Sequence, residues 1–172
     1  MFQVAENEAE RLAALVGYGI LDSDFEESFD RVTRIAANVF NVPIALVSIV
    51  DGRRQWFKSA VGLSVRETAR DISFCTHAIL GAEVFIVPDA TLDPKFSANP
   101  LVTGSPNIRF YAGAPLINPQ GYTLGTMCVI DQTPRPGMDA RHQQILSDLA
   151  GIVVDLMERR WLKRHAQQIA KK

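Results

Sequence analysis

Residues 44–60, IALVSIVDGRRQWFKSA, decide the fold class that the sequence predicts. The first seven of these residues are mostly apolar or β-branched on both faces of an extended chain, as in a central strand of a sheet. Asp51-Gly52 is a turn pair typical of hairpins, so residues 55–60 are expected to return as an antiparallel neighbour. This strand pair is therefore the predicted centre of an antiparallel sheet.

A second strand pair is predicted at 109–117 and 122–131, where Asn118-Pro119-Gln120-Gly121 has good turn chemistry. Helices from both ends of the chain would cover one face of the sheet, which gives an α+β fold. The other elements are expected to be a helix at 6–16, a helix that ends at Asn41, a loop at 62–72, a short helix at 73–80, a strand at 84–88, a long irregular loop at 89–108 and a final helix from about 138.

Apolar spacing predicts which faces the first two helices bury. Leu12, Leu15 and Val16 share one side of the first helix. Ser23-Asp24-Phe25-Glu26 fits a capping box for the second helix, in which the serine oxygen and the glutamate each satisfy a free backbone N–H. The apolar face of that helix is expected to comprise Phe29, Val32, Ile35, Ala36, Val39 and Phe40.

Length and composition restrict the class of protein. The 172 residues are about one domain's worth, and a hydrophobic content of 47% excludes a disordered chain. With 18 Lys and Arg against 19 Asp and Glu, the net charge of −1 offers no basis for non-specific nucleic-acid binding. The sequence shows neither a signal peptide nor an apolar run long enough to span a membrane. We therefore expect a cytoplasmic protein with neither nucleic acid nor membrane as partner.

Charge is nevertheless uneven along the chain. Residues 1–30 hold eight acids and one base, whereas residues 158–172 hold six bases and one acid. Either these are two solvated helix faces, or the two ends lie near each other and attract.

Cys75 and Cys128 are too few for a disulfide framework and are expected to be buried, reduced thiols. Cys75 and His77 could in principle bind a metal or act as a thiolate and base. Two ligands are too few for zinc, however, and positions i and i+2 of a helix do not face each other. A pocket-lining role with a hydrogen-bonding His77, or plain packing, is therefore favoured.

A series of motifs, in this order and spacing, resembles a GAF domain of the kind that precedes histidine-kinase or diguanylate-cyclase modules in bacteria. The motifs are FCTHAI (74–79), VPDA (87–90), DPKF (93–96), NPLV (99–102), IRFYAGAPL (108–116), LGTMCVID (124–131) and Pro134-Arg135. The resemblance covers about residues 8–158. It implies a GAF-like (PAS-like) α+β fold with a central six-stranded antiparallel sheet. The terminal helices would lie on one face, and the short helix and long loop would roof a ligand pocket on the other.

The resemblance also implies that three segments of the chain have different roles. Residues 1–22 would be an N-terminal signalling helix and linker, 23–137 the GAF core, and 138–172 a long C-terminal signalling and dimerisation helix. The expected function is regulatory small-molecule sensing without catalysis by the domain itself. The ligand state would pass through the terminal helices to a kinase or cyclase output module.

The pocket is expected between the short helix 73–80, the loop 89–108 and the strand that begins at Arg109. Arg109 could pair with a ligand carboxylate or phosphate, or form a structural pair with Asp89 or Asp93. No cofactor is expected, and the small molecule is unknown. The candidate ligand-binding residues are Phe74, Cys75, His77, Asp89, Asn99, Arg109 and Tyr111.

Two alternatives remain open: a thiol-based small-molecule reductase of the GAF fold, and a dimerisation scaffold without ligand. Some relatives of the fold attach bilins through a cysteine, reduce free methionine sulfoxide with three cysteines, or bind cyclic nucleotides through an asparagine-lysine and phenylalanine signature. Neither cysteine here lies in a motif matched to the first two activities. Lys58 and Lys95 are not preceded by Asn, so the third signature is missing.

The last helix also predicts assembly, because residues 138–170 would extend roughly 50 Å, far beyond a core of this size. We expect a homodimer through the terminal helices, with the acidic first helix near the basic end of the last. The alternative is that these apolar residues only cover the sheet. The proposed seam follows the three-and-four spacing of a coiled coil and comprises Leu146, Leu149, Val153 and Leu156.

Overall fold

A six-stranded antiparallel sheet is the centre of the protein, in a computed structural model that describes residues 2–171. In chain order its strands are β1 Ile44–Val50, β2 Arg54–Val61, β3 Glu67–Ala69, β4 Phe85–Val87, β5 Phe110–Ile117 and β6 Thr123–Asp131. They lie side by side in the order β3-β2-β1-β6-β5-β4. Every neighbouring pair is antiparallel, which confirms the predicted α+β fold.

Three helices cover one face of the sheet, and two short ones lie over the other. The helices are α1 Glu8–Tyr18, α2 Glu27–Val39, α3 Cys75–Ala78, α4 Pro100–Thr103 and α5 Ala140–Ala170. The larger apolar core lies between the sheet and α1, α2 and α5, and a second core lies between the sheet, α3 and the long loop. Within the described residues, no helix is long and apolar enough to cross a bilayer.

Strand β3 occupies the segment that was expected to be a loop. It pairs with β2 through only three residues, Arg54 with Ala69, Gln55 with Thr68 and Trp56 with Glu67. Such a short edge strand has no alternating apolar pattern from which to predict it. A 3-10 turn, Arg70–Ile72, follows it directly.

The predicted coiled-coil seam on α5 is wrong. Leu146, Leu149 and Val153 are 0%, 7% and 0% exposed and belong to the core against the sheet, while Leu156 is half-buried. A helix that lies on a sheet buries one stripe, and this stripe has the same three-and-four spacing as a coiled coil. The homodimer itself stays a prediction, but these buried residues of α5 cannot form its interface.

The predicted capping box is also wrong. Helix α2 begins with Glu26 as its N-cap, and no side chain caps it. Ser23 and Glu26 instead bind Lys58, whose side chain is fully buried: its Nζ donates to Ser23 Oγ at 2.9 Å, Asp24 O at 2.5 Å and Glu26 Oε2 at 2.6 Å. A buried ammonium group without hydrogen-bond partners would cost more free energy than the loss of a helix cap, so Ser23 and Glu26 bind Lys58.

The buried faces of α1 and α2 differ from the prediction by a few residues. In α1 the buried residues are Arg11, Leu15 and Tyr18, and Val16 is exposed. In α2, Ile35 and Val39 are exposed although they were expected to be buried. The apolar pattern located both helices but left their exact rotation open.

The two ends of the chain lie against each other, as the charge pattern allowed. Arg160 Nη1 donates to the carbonyl oxygens of Tyr18 at 3.1 Å and Gly19 at 2.9 Å, and Arg164 Nη1 donates to Tyr18 O at 2.7 Å. Arg160 Nε also donates to Glu26 Oε2 at 2.8 Å. The basic end of α5 therefore caps the carboxyl end of α1, where cations are favourable, rather than pairing with the acids of α1.

Candidate functional site

Cys75, at the start of α3, points into the sheet beneath it. Its Sγ accepts hydrogen bonds from Tyr111 Oη at 3.3 Å and Thr126 Oγ1 at 3.1 Å. These two residues come from the neighbouring strands β5 and β6, and the thiol, the phenol and the hydroxyl are almost completely buried. The sequence predicted two buried, reduced thiols, and both Cys75 and Cys128 are buried and free.

The surroundings of the two thiols shift their pKa values in opposite directions. Burial alone would raise the pKa of Cys75, but hydrogen bonds from Cys128, Thr126 and Tyr111 lower it to about 6. The hydrogen bond to Cys75 and burial together hold the pKa of Cys128 well above its usual value. The hydrogen bonds within this pair therefore favour the thiolate at Cys75 over that at Cys128.

Replacement of Tyr111 by Phe is expected to raise the pKa of the Cys75 thiol, because a donor that stabilises the thiolate is lost. The titration midpoint should move up by about 1 pH unit. The ultraviolet absorbance of the thiolate, followed against pH, measures this midpoint, and Cys75→Ala assigns the signal. Tyr122→Phe, on the opposite face of the sheet, is the matched control. An unchanged midpoint in Tyr111→Phe would contradict the prediction.

Four of the predicted site residues lie together around α3. Phe74 stacks on Phe96 with ring centroids 4.1 Å apart, and its ring lies 5.3 Å from that of Tyr111. His77 meets Phe96 edge-on at 5.0 Å, and burial, followed by the charge of Lys95, lowers the pKa of His77. With Cys75, these rings form a packed aromatic cluster beneath the helix.

The other three predicted residues, Asp89, Asn99 and Arg109, shape the long loop. Asp89 Oδ1 accepts hydrogen bonds from the backbone and hydroxyl of Thr91. Asn99 Oδ1 caps α4 by accepting from Leu101 N at 2.9 Å, and its Nδ2 donates to Ile72 O at 3.0 Å. Arg109 Nη1 donates to Val102 O at 2.9 Å and to Ile108 O at 3.0 Å. Of the two roles considered for Arg109, the structural pair with Asp89 or Asp93 is not formed, and these carbonyls are its partners.

A cavity of about 250 Å³ opens on the same face of the sheet, beside β1 and β2. The long loop contributes to it, but neither the short helix nor any of the seven predicted site residues lines it. Its buried floor consists of Leu46, Phe57, Ile108 and Ile130. Its walls and rim are formed by Gln55, Leu63, Ser64, Val65, Glu67, Thr68, Leu101, Ser105 and Pro106. Leu63 and Val65 of this wall lie in the segment that was expected to be a loop, and the sequence contains no signal that assigns them to a cavity.

Gln55 links the cavity to α3. Its Oε1 accepts from Ser73 Oγ at 2.8 Å and from Ser48 Oγ at 3.2 Å, and its Nε2 donates to Thr68 Oγ1 at 2.6 Å. Ser73 Oγ in turn accepts from the backbone N–H of Thr76 in α3 at 3.2 Å. A change in the cavity wall can therefore reach α3 through one side-chain amide.

A buried ion triad links the same wall to the N-terminal helix. Strand β3 leads into Arg70, whose Nη1 donates to Glu8 Oε1 at 2.5 Å and to Asp51 O at 3.0 Å. Arg11 donates to both carboxylate oxygens of Glu8 at 2.9 Å and to Val50 O at 2.8 Å. The side chains of Arg11 and Arg70 are 1% exposed. Helix α1 is thus fixed to the β1–β2 hairpin and to the turn after β3.

A larger groove, of about 480 Å³, lies between residues 22–28 and the basic end of α5. Of the cations that line it, Arg160 binds Glu26 and Arg164 donates to Tyr18 O. Within residues 2–171 no group of three or more His, Cys, Asp or Glu side chains is placed to hold a metal ion.

Comparison with known proteins decides the family. The sequence model of the GAF domain matches residues 24–154. The chain belongs to the GAF domain family. This GAF domain is 47% identical over 149 residues to a cyclic di-GMP phosphodiesterase of Pseudomonas aeruginosa. The match covers 87% of this chain but spans only a quarter, 25%, of that relative's length.

Solved structures show the same fold. The GAF domain of an Acinetobacter phosphoenolpyruvate-protein phosphotransferase has a TM-score of 0.65 at 15% identity, over 91% of this chain and 95% of that one. A free methionine-R-sulfoxide reductase from Neisseria meningitidis, solved in complex with its substrate, has a TM-score of 0.62 at 18% identity, over 96% of this chain and 97% of that one. At these identities the likeness concerns the fold alone.

Proposed function

We propose that this GAF domain is the regulatory, small-molecule-sensing domain of a bacterial signalling protein, and that its ligand occupies the cavity beside β1 and β2. One observation carries the proposal: the cavity wall and the anchor of α1 belong to one short segment. Glu67 and Thr68 line the cavity, and Arg70, two residues later, binds Glu8 of α1. A ligand that displaces β3 would therefore change how α1 is held.

The signal is proposed to leave through both terminal helices, because Arg160 and Arg164 of α5 bind the carboxyl end of α1. In this proposal residues 1–22 and 138–172 transmit the state of a sensing core at 23–137. The output module is a kinase or cyclase, or a phosphodiesterase as in the Pseudomonas relative. The domain itself is proposed to be non-catalytic.

Cyclic di-GMP is not the ligand that we propose for the cavity. That molecule carries two purines and two phosphates, whereas clefts for even drug-sized molecules have volumes of about 300–1,000 Å³. A cavity of about 250 Å³ is too small for it. Cyclic di-GMP enters the proposal only as the substrate or product of an output module.

Substitution of Leu63 by Trp tests the proposal, because the larger ring would fill the cavity from its wall without altering the sheet. Leu92→Trp is the matched control, since Leu92 is 80% exposed and outside the cavity. Each purified protein is incubated with a bacterial metabolite extract and examined by native mass spectrometry. We expect the wild type and Leu92→Trp to retain a small molecule that Leu63→Trp loses, with at least about tenfold lower occupancy.

Two results would contradict ligand sensing at this cavity. One is that repeated extracts yield no bound molecule on the wild type. The other is a bound molecule that Leu63→Trp retains as fully as Leu92→Trp does. Circular dichroism of both variants checks that the fold is intact.

A thiol-based reductase remains the second candidate, because hydrogen bonds lower the pKa of Cys75 to about 6. The 2% exposure of Cys75 opposes it, since a catalytic thiol must meet its substrate. Mass spectrometry after treatment with hydrogen peroxide separates the two functions. Rapid, selective oxidation of Cys75 in the folded protein would favour the reductase.

A further inference from the structure

We infer that the cavity beside β1 and β2 takes a small uncharged molecule with an apolar body of about one ring and one neutral, oxygen-bearing end. This inference rests on the proposed function and names the chemical class of ligand for the same cavity. Four features of the cavity lead separately to this class of ligand: the volume, the apolar floor, the surrounding charges and one polar anchor.

The volume limits the size of the ligand. A dry cavity of about 150 Å³ in another protein holds benzene, and clefts for drug-sized molecules begin at about 300 Å³. The cavity of about 250 Å³ lies between these values. A single ring with a short substituent fits this volume, whereas a nucleotide does not.

The floor requires an apolar body. Leu46, Phe57 and Ile130 are 2%, 1% and 4% exposed, and Ile108 completes the surface. These side chains offer no hydrogen bond, so a polar group pushed against them would lose its water without compensation. Polar side chains appear at the wall and rim, where Ser64, Glu67 and Ser105 are exposed.

The charges around the cavity exclude an anionic ligand. Glu67 is the one ionisable residue among those that line it, and its carboxylate binds Arg54 at 2.5 Å. Arg54 also forms a salt bridge with Asp22 at 2.7 Å. A carboxylate or phosphate that entered the cavity would find no free cation and would meet the negative charge of Glu67.

Arg66, the cation in the wall segment 63–68, packs against aromatic rings away from the cavity floor. The guanidinium of Arg66 lies over the ring of Phe25, 3.8 Å from its centroid, and 5.1 Å from that of Trp56. Trp56 belongs to the core on the opposite face of the sheet, whereas Phe57 faces the cavity. Arg66 therefore cannot neutralise an anion held at the floor.

Gln55 provides the polar anchor. Its Oε1 already accepts from Ser48 and Ser73, and one hydrogen of its Nε2 goes to Thr68. An amide nitrogen carries two hydrogens, so Gln55 has one donor left for the ligand. A carbonyl or hydroxyl oxygen matches that donor.

Acetophenone and benzoate are the probes, because they share a ring and a planar substituent and differ chiefly in charge. Each is titrated into the full 172-residue chain, and backbone amide shifts are followed by NMR in the wild type, Leu63→Trp and Leu92→Trp. We expect acetophenone to shift the amides of cavity residues and to bind at least about tenfold tighter than benzoate. Leu63→Trp should lose these shifts, and Leu92→Trp should keep them.

Three outcomes would overturn the inference. Benzoate could bind the cavity as tightly as acetophenone, neither probe could shift the cavity amides, or Leu63→Trp could bind acetophenone like the wild type. The first two leave ligand sensing intact if the metabolite experiment still yields a molecule that Leu63→Trp loses. The class of ligand and the sensing function can therefore fail separately.

Discussion

The Val153→Glu variant is expected to lose much of the stability of the fold. Val153 is 0% exposed and lies in the core between α5 and the sheet. A carboxylate forced into this position has no cation beside it, and its burial costs several kcal/mol. Since a domain of this kind has a total stability of about 5–15 kcal/mol, a loss of about 4 kcal/mol or more removes much of it. Urea unfolding followed by circular dichroism measures this loss.

Ile152→Glu is the matched control, because Ile152 is the neighbouring residue of the same helix and is 47% exposed. It should change the free energy of unfolding by less than about 0.5 kcal/mol. A Val153→Glu protein as stable as Ile152→Glu would contradict the burial of this face. Sedimentation of the same proteins also tests the predicted homodimer: a wild type that is monomeric at all concentrations would contradict it.

Glu8→Gln is expected to destabilise the fold by about 3 kcal/mol. The carboxylate of Glu8 holds the guanidinium groups of Arg11 and Arg70, which are both buried. Without it two like charges would face each other in the interior with no counter-ion. Glu10→Gln, at an exposed position of the same helix, should have little effect. Chemical denaturation at neutral pH compares the variants, and equal stabilities would refute the structural role of the triad.

The same triad predicts a dependence of stability on pH. Burial of Glu8 alone would raise its pKa, but hydrogen bonds from Arg11 and Arg70 lower it from 4.5 to about 2. Between these values the unfolded chain binds the proton more readily than the folded one, so stability falls as the pH falls. The contribution of Glu8 is complete above about pH 4.5 and is lost as the pH approaches 2. Denaturation curves across this range should show the loss in the wild type and a flatter profile in Glu8→Gln.

The sheet could be predicted from the sequence because its main strands carry local signals. The hairpin turn at Asp51-Gly52 and the turn at 118–121 fixed both strand pairs within a residue or two. The motifs from Phe74 to Asp131 indicated the family, which the comparison confirmed. These turns and motifs are formed by residues that are close together in the sequence, so they can be recognised without knowledge of the fold.

The triad and the cavity could not be predicted in the same way. In the sequence Arg11 is only the one base among eight acids, because Arg70, which binds the same Glu8 carboxylate, lies far away in sequence. Leu63 and Val65 stand in a segment without helical or strand periodicity, so nothing local assigns them to a cavity wall. The burial of Lys58 could not be predicted from local sequence either. Because Lys58 is buried, Ser23 and Glu26 bind its ammonium group and do not cap α2.

The aromatic cluster around α3 lies between these cases. Phe74, Cys75, His77 and Tyr111, which were predicted to line a ligand pocket, lie near one another. Their role in ligand binding stays a prediction. Their rings pack against one another and leave the open space further along the sheet.

The short distance along the chain from the cavity wall to Arg70 has a consequence for evolution. In the proposed function, residues 63–65, 67 and 68 help to determine which ligand the cavity accepts, and Arg70 binds Glu8 of α1. A lineage that adapts to a new ligand by substitutions in this segment changes the backbone that positions the arginine at the same time. Under the proposed function, ligand preference and signal strength therefore depend on the same few codons, so a substitution selected for one property also changes the other.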